Sequence, residues 1–364
     1  MVDQTELVQN VRDLVKQQLR PLVDKIDQEG LYPETFMREL GAIGGYASVG
    51  TEAEGGNGLG MFTQIEVLRA VGAECGATAF SAWCQTACAW YLHQSGREAV
   101  RQRYLKDVLQ GNVLAGTGLS NMVKHLAKIE KHLLQAQKVE GGYVVNGSLP
   151  WVSNIGENHV WASSAQLEDG GYIMFVSNGQ MENLSLHDCP EFCALEGTRT
   201  FSARYVNVLI KSDDLLADEH EFTGYVQKIK TGFVLSQMGI GAGVIDGCLG
   251  VIRMANVSSA EVNQYLDHSF GDIRAQLDSV MAQTEHLSRL VWENKPDALG
   301  TLKLRALGSE LTLAASQSAA LHAGAKGYLM RSPAQRRMRE AMFVAIVTPA
   351  LKHLRKEIAA LEAI

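Results

Sequence analysis

The apolar residues of this chain change their repeat twice, and that constrains the fold more than any single motif. Leu7, Val11, Leu14, Val15, Leu22 and Ile26 recur at helical spacing, with Pro21 forcing a break or kink among them. A run from Glu34 to Leu40 behind Pro33, a long apolar run from Phe62 to Leu92 and a further run from Arg97 to Leu109 continue the helical texture. At Gly111 it gives way to short β-branched and aromatic runs. Tyr143-Val144-Val145 lies between the turn pairs Gly141-Gly142 and Asn146-Gly147, and similar runs follow at Tyr172–Val176 and Ala203–Ile210. After Phe222 the helical period returns, with Leu277, Val280, Met281, Thr284, Leu287, Leu290 and Val291 on one face. The order predicts an α+β chain: an N-terminal helical domain over 1–110, a small middle β domain over 111–222 and a C-terminal helical bundle over 223–364.

Bulk properties exclude several classes. A length of 364 residues suits two or three units, and 46% hydrophobic with 20% charged residues is ordinary for a globular protein. The net charge is −7 and no basic run carries interleaved aromatics, so nucleic acid is not an expected partner. Met1 to Glu6 are polar and acidic, unlike a secretory signal, which points to a cytoplasmic protein. The apolar stretch Phe233–Ile252 is interrupted by Gln237 and Asp246 and dotted with glycines, so it reads as a buried helix and not as a membrane span. Gly239, Gly241 and Gly243 lack the GxGxxG spacing and a βαβ setting, and read as small residues for close helix packing. The six cysteines, Cys75, Cys84, Cys88, Cys189, Cys193 and Cys248, show no metal-ligand pattern and read as reduced thiols.

Several separate stretches carry a likeness to a known family. Arg20-Pro21, Asp27 and Tyr32-Pro33 lead to Glu39-Leu40-Gly41 and the loop Glu54–Gly58, and Gly96-Arg97-Glu98 runs through Arg103-Tyr104-Leu105 to Gly111. Glu140–Gly147 leads into Trp151-Val152-Ser153-Asn154, and Gly324–Tyr328 precedes Pro333, Arg336 and Arg339-Glu340-Ala341. In these features the whole chain resembles the acyl-CoA dehydrogenases. The resemblance implies FAD as cofactor, an acyl-CoA-like thioester as substrate, a homodimer or homotetramer and an electron-transfer partner. It places Trp151 beside the isoalloxazine, Ser153 as a donor to it, and backbone around Leu114, Gly116 and Thr117 at the pyrimidine edge. It places Ser269, Phe270, Gly324 and Ala325 against FAD of a neighbouring subunit. From the residues alone, Trp151 and Ser153 could equally be a strand tryptophan and a turn serine, and Gly324 a helix cap.

The same register exposes departures. Thr348 stands where most of the family keeps its catalytic glutamate, and the alternative position of some relatives falls near Thr231 or Gly232. A threonine hydroxyl alone is not a competent base for removing a proton beside a carbonyl. Pro349 replaces the glycine that normally follows the glutamate, and Asp267 replaces an arginine that would neutralise the cofactor diphosphate. Three outcomes follow: Arg274 or another base substitutes, the loop moves aside with an apparent insertion around Asn256–Asn263, or FAD binds weakly. His322 and His353 read as satisfied surface or core histidines, and Arg339 with Glu340 as a structural pair. The functional expectation is a FAD-dependent oxidoreductase with an altered or relocated base. The alternatives are a flavin-dependent monooxygenase-type relative and a non-catalytic ligand-binding protein of the same fold.

Overall fold

The computed structural model describes residues 3–363. Six helices come first: α1 (Gln4–Leu14), α2 (Val23–Glu29), α3 (Glu34–Ala42), α4 (Gly60–Glu74), α5 (Gly76–Gln94) and α6 (Glu98–Leu109). Asp3 caps α1 by accepting from Glu6 N at 2.8 Å. Around Pro21, which has no N–H to continue the ladder, the chain passes through a π turn at Val15–Leu19 and a 3-10 turn at Arg20–Leu22. The apolar run Phe62–Leu92 is two helices, separated where Cys75 turns extended at φ −147°.

Eight strands and a short helix follow: β1 (Leu114–Thr117), α7 (Ser120–Leu126), β2 (Leu134–Val139), β3 (Gly142–Val152), β4 (His159–Leu167), β5 (Tyr172–Asn178), β6 (Leu184–Asp188), β7 (Phe201–Lys211) and β8 (Leu215–Ala217). The sheet order is β6-β7-β3-β2-β4-β5-β8, with β1 also pairing β4. β1 and β2 both run parallel to β4, β1 at its start and β2 at its end, while the remaining pairs are antiparallel. Alternation along β4 separates two cores. Val160 and Ala162 face the helices, while Trp161 and Ala165 face a smaller core shared with Phe175 and Tyr205.

The chain then returns to helix: α8 (Phe222–Ser236), α9 (Met238–Asn263), α10 (Phe270–Trp292), α11 (Ala298–Ala323), α12 (Pro333–Ile346) and α13 (Leu351–Glu362). The apolar stretch in α8 and α9 lies in the core, as expected for a buried helix. A Cβ on Gly239 would come 2.6 Å from Ile65 O, and one on Gly243 2.6 Å from Arg69 O, so these glycines let α9 lie directly on α4. The apparent insertion Asn256–Asn263 completes α9, with a kink at Ser259.

The expected Arg339–Glu340 pair is corrected. Arg339 reaches Asp27 at 2.6 Å, whereas the buried Glu340 is held by Arg336 (3.0 Å) and Arg337 (2.7 Å). The two sides of this knot bind the break between α4 and α5. Arg336 donates to Glu74 O and Arg337 to Gly72 O, capping the carbonyl end of α4, while Glu340 accepts from Gly76 N at the amide end of α5. Residues three and four apart on α12 thus serve both helix ends at once, because i, i+3 and i+4 share a face.

Candidate active site

The edge of the sheet where β1 meets β4 brings together Leu114, Gly116, Thr117 and Ser153. β1 lies beside β4 with Leu114 opposite His159 and Thr117 opposite Ala162, and Thr117 also bridges Ser153. A Cβ on Gly116 would sit 2.4 Å from Ser153 O, so this approach requires glycine. Two buried amides lock the β1 backbone: Gln85 Oε1 accepts from Ala115 N at 2.6 Å, and Asn154 Nδ2 donates to Ala115 O at 2.7 Å. The sequence reading missed both positioning groups. Gln85 carried a signal, an uncharged amide inside the otherwise apolar or small-residue run Phe80–Leu92.

Trp151 sits in a bulge. The β3–β7 register shifts between Leu149↔Ala203 and Val152↔Phe201, and Trp151 takes a left-handed φ of +58° there. The bulge turns its indole outward, leaving it 58% exposed with Phe192 edge-on at 6.3 Å. It is therefore not a core strand tryptophan. Ser153 belongs to a chain of hydroxyl groups. Its Oγ lies 2.7 Å from Thr200 Oγ1, which lies 2.8 Å from Thr198 Oγ1, which donates to Leu195 O at 2.7 Å. Each hydroxyl has one proton, so a chain ending on a carbonyl runs from Ser153 through Thr200 to Thr198. In that arrangement Ser153 donates to Thr200.

Thr348 lies at the end of α12, half-buried, with its Oγ1 2.7 Å from Ser120 Oγ at the start of α7. Its peptide to Pro349 is cis. Gln237 donates to Thr348 O at 2.9 Å and in turn accepts from the buried Arg305 at 3.0 Å, so the backbone at this position is anchored from the core. Thr231 is buried, and a Cβ on Gly232 would come 2.7 Å from the Trp90 ring, so neither alternative position offers an acid or room for one.

Beside this region, α5, α7, α8 and α13 enclose an apolar cavity of about 70 Å³ walled by Tyr91, Leu119, Met122, Ile229, Phe233 and, at one side, Lys230 and Glu357. Tyr91 OH stands 3.2 Å from Thr117 Oγ1, so the cavity and the β1 edge share a wall. Glu357 is the one carboxylate lining the cavity among the described residues. Burial raises its carboxyl, but the hydrogen bond from His353 (3.0 Å) and the charge and hydrogen bond of Lys230 (2.9 Å) outweigh that and hold it at about 2. His353 is buried, and its Nδ1 has no hydrogen-bond partner among the described residues. Two neighbouring histidines are kept neutral. Burial pushes His159 down to about 4 against the opposing hydrogen bond to Asn154 O, and burial with the charge of His125 does the same to His132.

The other predicted cofactor residues form a second group, on the helical part. Ser269 caps α10 in a capping box with Asp272, and Phe270 is half-buried behind it. Gly324 ends α11 at φ +59° and leads into an exposed 3-10 turn containing Ala325, so the glycine does cap a helix. Ser318 donates to His268 O at 2.9 Å and Asn263 to His322 O at 3.2 Å, tying the two loops together. His322 is a satisfied core histidine, with Nδ1 2.8 Å from Ser318 O. Asp267 is exposed, and Arg274 is occupied by Asp246 at 3.0 Å and Asp278 at 3.9 Å. All six thiols are unpaired, and no metal-ligand cluster exists among the described residues.

Comparison with known proteins agrees with this architecture. The family model for the acyl-CoA dehydrogenase N-terminal domain matches residues 2–112. A short-chain specific acyl-CoA dehydrogenase of Megasphaera elsdenii is 20% identical over 369 residues, covering 94% of this chain and 93% of that protein. The human mitochondrial short-chain specific acyl-CoA dehydrogenase is 22% identical over 356 residues, covering 93% and 85%. The solved structure of butyryl-CoA dehydrogenase from Megasphaera elsdenii superimposes with a TM-score of 0.89 at 17% identity, covering 99% and 98%. The helix–sheet–helix order agrees with these likenesses: residues 2–112 match the acyl-CoA dehydrogenase N-terminal domain, and the chain is similar to acyl-CoA dehydrogenases along nearly its whole length.

Proposed function

We propose that the protein is a FAD-dependent oxidoreductase that acts on an acyl-CoA-like thioester by hydride transfer to flavin, with its base altered or relocated. The observation that carries this reading is the shared wall: Thr117, on the β1 edge and bridged to Ser153, meets Tyr91, and Tyr91 bounds the apolar cavity. A planar ring on the edge and an acyl chain in the cavity would be neighbours, as hydride transfer between them needs. The residues present fit a flavin: an outward indole for the ring and, beside it, the backbone of β1 held in place by Gln85 and Asn154 for its polar edge. FAD, when bound, supplies the hydride acceptor.

The chain's own contribution to the proton step is unusual. Thr348 brings a hydroxyl bonded to Ser120 and no carboxylate. Glu357 brings a carboxylate to the cavity, but one held at about 2 by Lys230 and His353 is ionised and weakly basic. That weakness favours, as a second reading, an oxygen-using relative that needs no base beside the carbonyl; a non-catalytic ligand-binding member is the third. Met254, Val257, Val262, Tyr265, Tyr328 and Leu329 are exposed on α9 and the two loops near Gly324, which supports a homodimer or homotetramer. An electron-transfer partner and a cytoplasmic site complete the proposal.

The test is the visible spectrum of the purified protein during anaerobic titration with acyl-CoAs of increasing chain length. Loss of oxidised-flavin absorbance with some acyl-CoA, slowed in Glu357→Gln, supports the dehydrogenase with a relocated base. Flavin that no acyl-CoA reduces, together with oxygen uptake when reduced flavin and a non-CoA substrate are supplied, would replace it with the second reading. A colourless protein that cannot be reconstituted with FAD removes both.

A further inference from the structure

Strand β7 runs past the end of its neighbour β6. β6 pairs it from Phe201 to Tyr205, whereas β3 on its other side follows it to Lys211. Beyond Tyr205 a cleft of about 470 Å³ opens along β7, with Arg103 and Tyr104 of α6 also in its wall. Asn207, Leu209 and Lys211 line it because side chains alternate along the strand, Val208 and Ile210 pointing to the core. The Asp214 carboxylate, on the 3-10 turn after β7, lines it too and is 4% exposed. Its Oδ1 accepts from Arg103 at 2.6 Å and from Tyr104 OH at 3.2 Å, while its Oδ2 accepts from no group among the described residues. The side chains of Glu182, Asn183 and Lys211 and the Nδ2 of Asn207 likewise have no hydrogen-bond or ion-pair partner among the described residues. A mostly buried carboxylate with an unmet oxygen is stabilised by a donor that comes from outside the fold.

We infer that this cleft binds a neutral sugar of one or two rings. Arg103 and Lys211 balance Glu182 and Asp214, so the wall carries no net charge and a charged ligand would leave an excess inside it. Its free groups mix acceptors, Asp214 Oδ2 and Glu182, with donors, Asn207 Nδ2 and Lys211, and the Asn183 amide offers both; a hydroxyl answers either kind. Met181 and Leu209 give apolar surface for the C–H faces of a ring. A zwitterionic amino acid fits less well. Glu182 stands at the Asn207 end, where Asn183 O accepts from Val206 N at 3.2 Å. Lys211 lies four residues further along the strand, about 13 Å at roughly 3.3 Å per residue. The ammonium and carboxylate of an amino acid sit on one carbon and cannot reach both. The volume is that of a small-molecule pocket. The cleft shares no residue with the β1 edge or the apolar cavity, so the inference stands apart from the proposed redox activity.

Isothermal titration of the full-length protein with glucose, ribose, maltose and trehalose tests this, with glutamine as the zwitterionic comparison. At least one sugar is expected to bind with a Kd below about 1 mM, changed less than about twofold by salt because the ligand is uncharged. The double variant Glu182→Ala/Asn183→Gly, at an exposed turn, should weaken that binding at least about tenfold. Its melting temperature should hold, since glycine keeps the left-handed backbone of Asn183 at φ +65°. Asp214→Asn, nearly the same in shape, should weaken binding as well; if it folds poorly, the double variant decides alone. No binding of any of the four sugars, or sugar affinity unchanged in the double variant, overturns the inference. So does glutamine binding more tightly than every sugar, which would make the cleft an amino-acid site. Sugar binding without bleaching by acyl-CoA counts against the redox reading alone, and bleaching without sugar binding against this inference alone.

Discussion

Thr348→Glu is expected to accelerate flavin reduction by an acyl-CoA about 10²–10⁴-fold, the usual contribution of a positioned general base. That range corresponds to about 3–5 kcal/mol of barrier. The structure bounds the cost of the change. Thr348 is half-buried, and the one side-chain bond lost is the 2.7 Å contact to Ser120, worth about 1 kcal/mol net. The backbone is held independently of the side chain, by Gln237 on Thr348 O and by Arg305 behind Gln237, so the new carboxylate starts from the same anchored Cα. Folding should survive with a melting temperature a few degrees lower. The assay is anaerobic stopped-flow at the oxidised-flavin band, with Thr348→Gln as the isosteric control. A Thr348→Glu protein that folds, holds FAD and reduces it no faster than Thr348→Gln would refute the assignment of this position to the proton step. A wild-type protein that is already fast and is stopped by Glu357→Gln would place the base on α13 instead.

Trp151→Ala should leave the melting temperature within about a degree, because the indole is 58% exposed, yet weaken FAD retention, measured as the flavin-to-protein absorbance ratio after gel filtration. Glu340→Ala should cost about 3–5 kcal/mol in urea unfolding, since it strands two buried guanidinium groups and the Gly76 amide. Lowering the pH from about 6.5 to about 4 should destabilise the protein, because His132 and His159 are depressed to about 4 and the unfolded chain binds their protons first. Each can contribute up to about 3 kcal/mol across that window. Melting curves between pH 7 and pH 4 should therefore show a fall that His159→Gln makes shallower; an equally steep fall in that variant would remove His159 from the account.

The helical and strand segments were legible because their signals are local. The 3.6-residue repeat of α1 and α10 and the turn pairs flanking Tyr143–Val145 can be read without knowing what they pack against. The Trp151 segment was legible by its resemblance, but the outward direction of the indole was not. It depends on a bulge defined by how many residues of β7 oppose β3, and β7 lies some fifty residues further on. The hydroxyl chain around Ser153 was hidden for a similar reason, since Thr198 and Thr200 approach it only through the same strand pairing. The Arg339–Glu340 pair failed because adjacent residues on a helix point about 100° apart, so each found its partner on a different element.

By itself the sequence determined the helix–sheet–helix order, the likeness to a flavin-binding family and the absence of an acid at Thr348 and Thr231, since these rest on residue identity and short-range period. Only the tertiary structure decided what stands in the places left open. It brought Glu357 of α13 to Lys230 of α8, 127 positions away, at the wall of an apolar cavity, and it gathered Arg103 and Tyr104 of α6 with Asn207 and Lys211 of β7 around one cleft. Both constellations are made by side chains whose neighbours in sequence are unremarkable, and proximity of that kind is set by how helices pack, which no local pattern records.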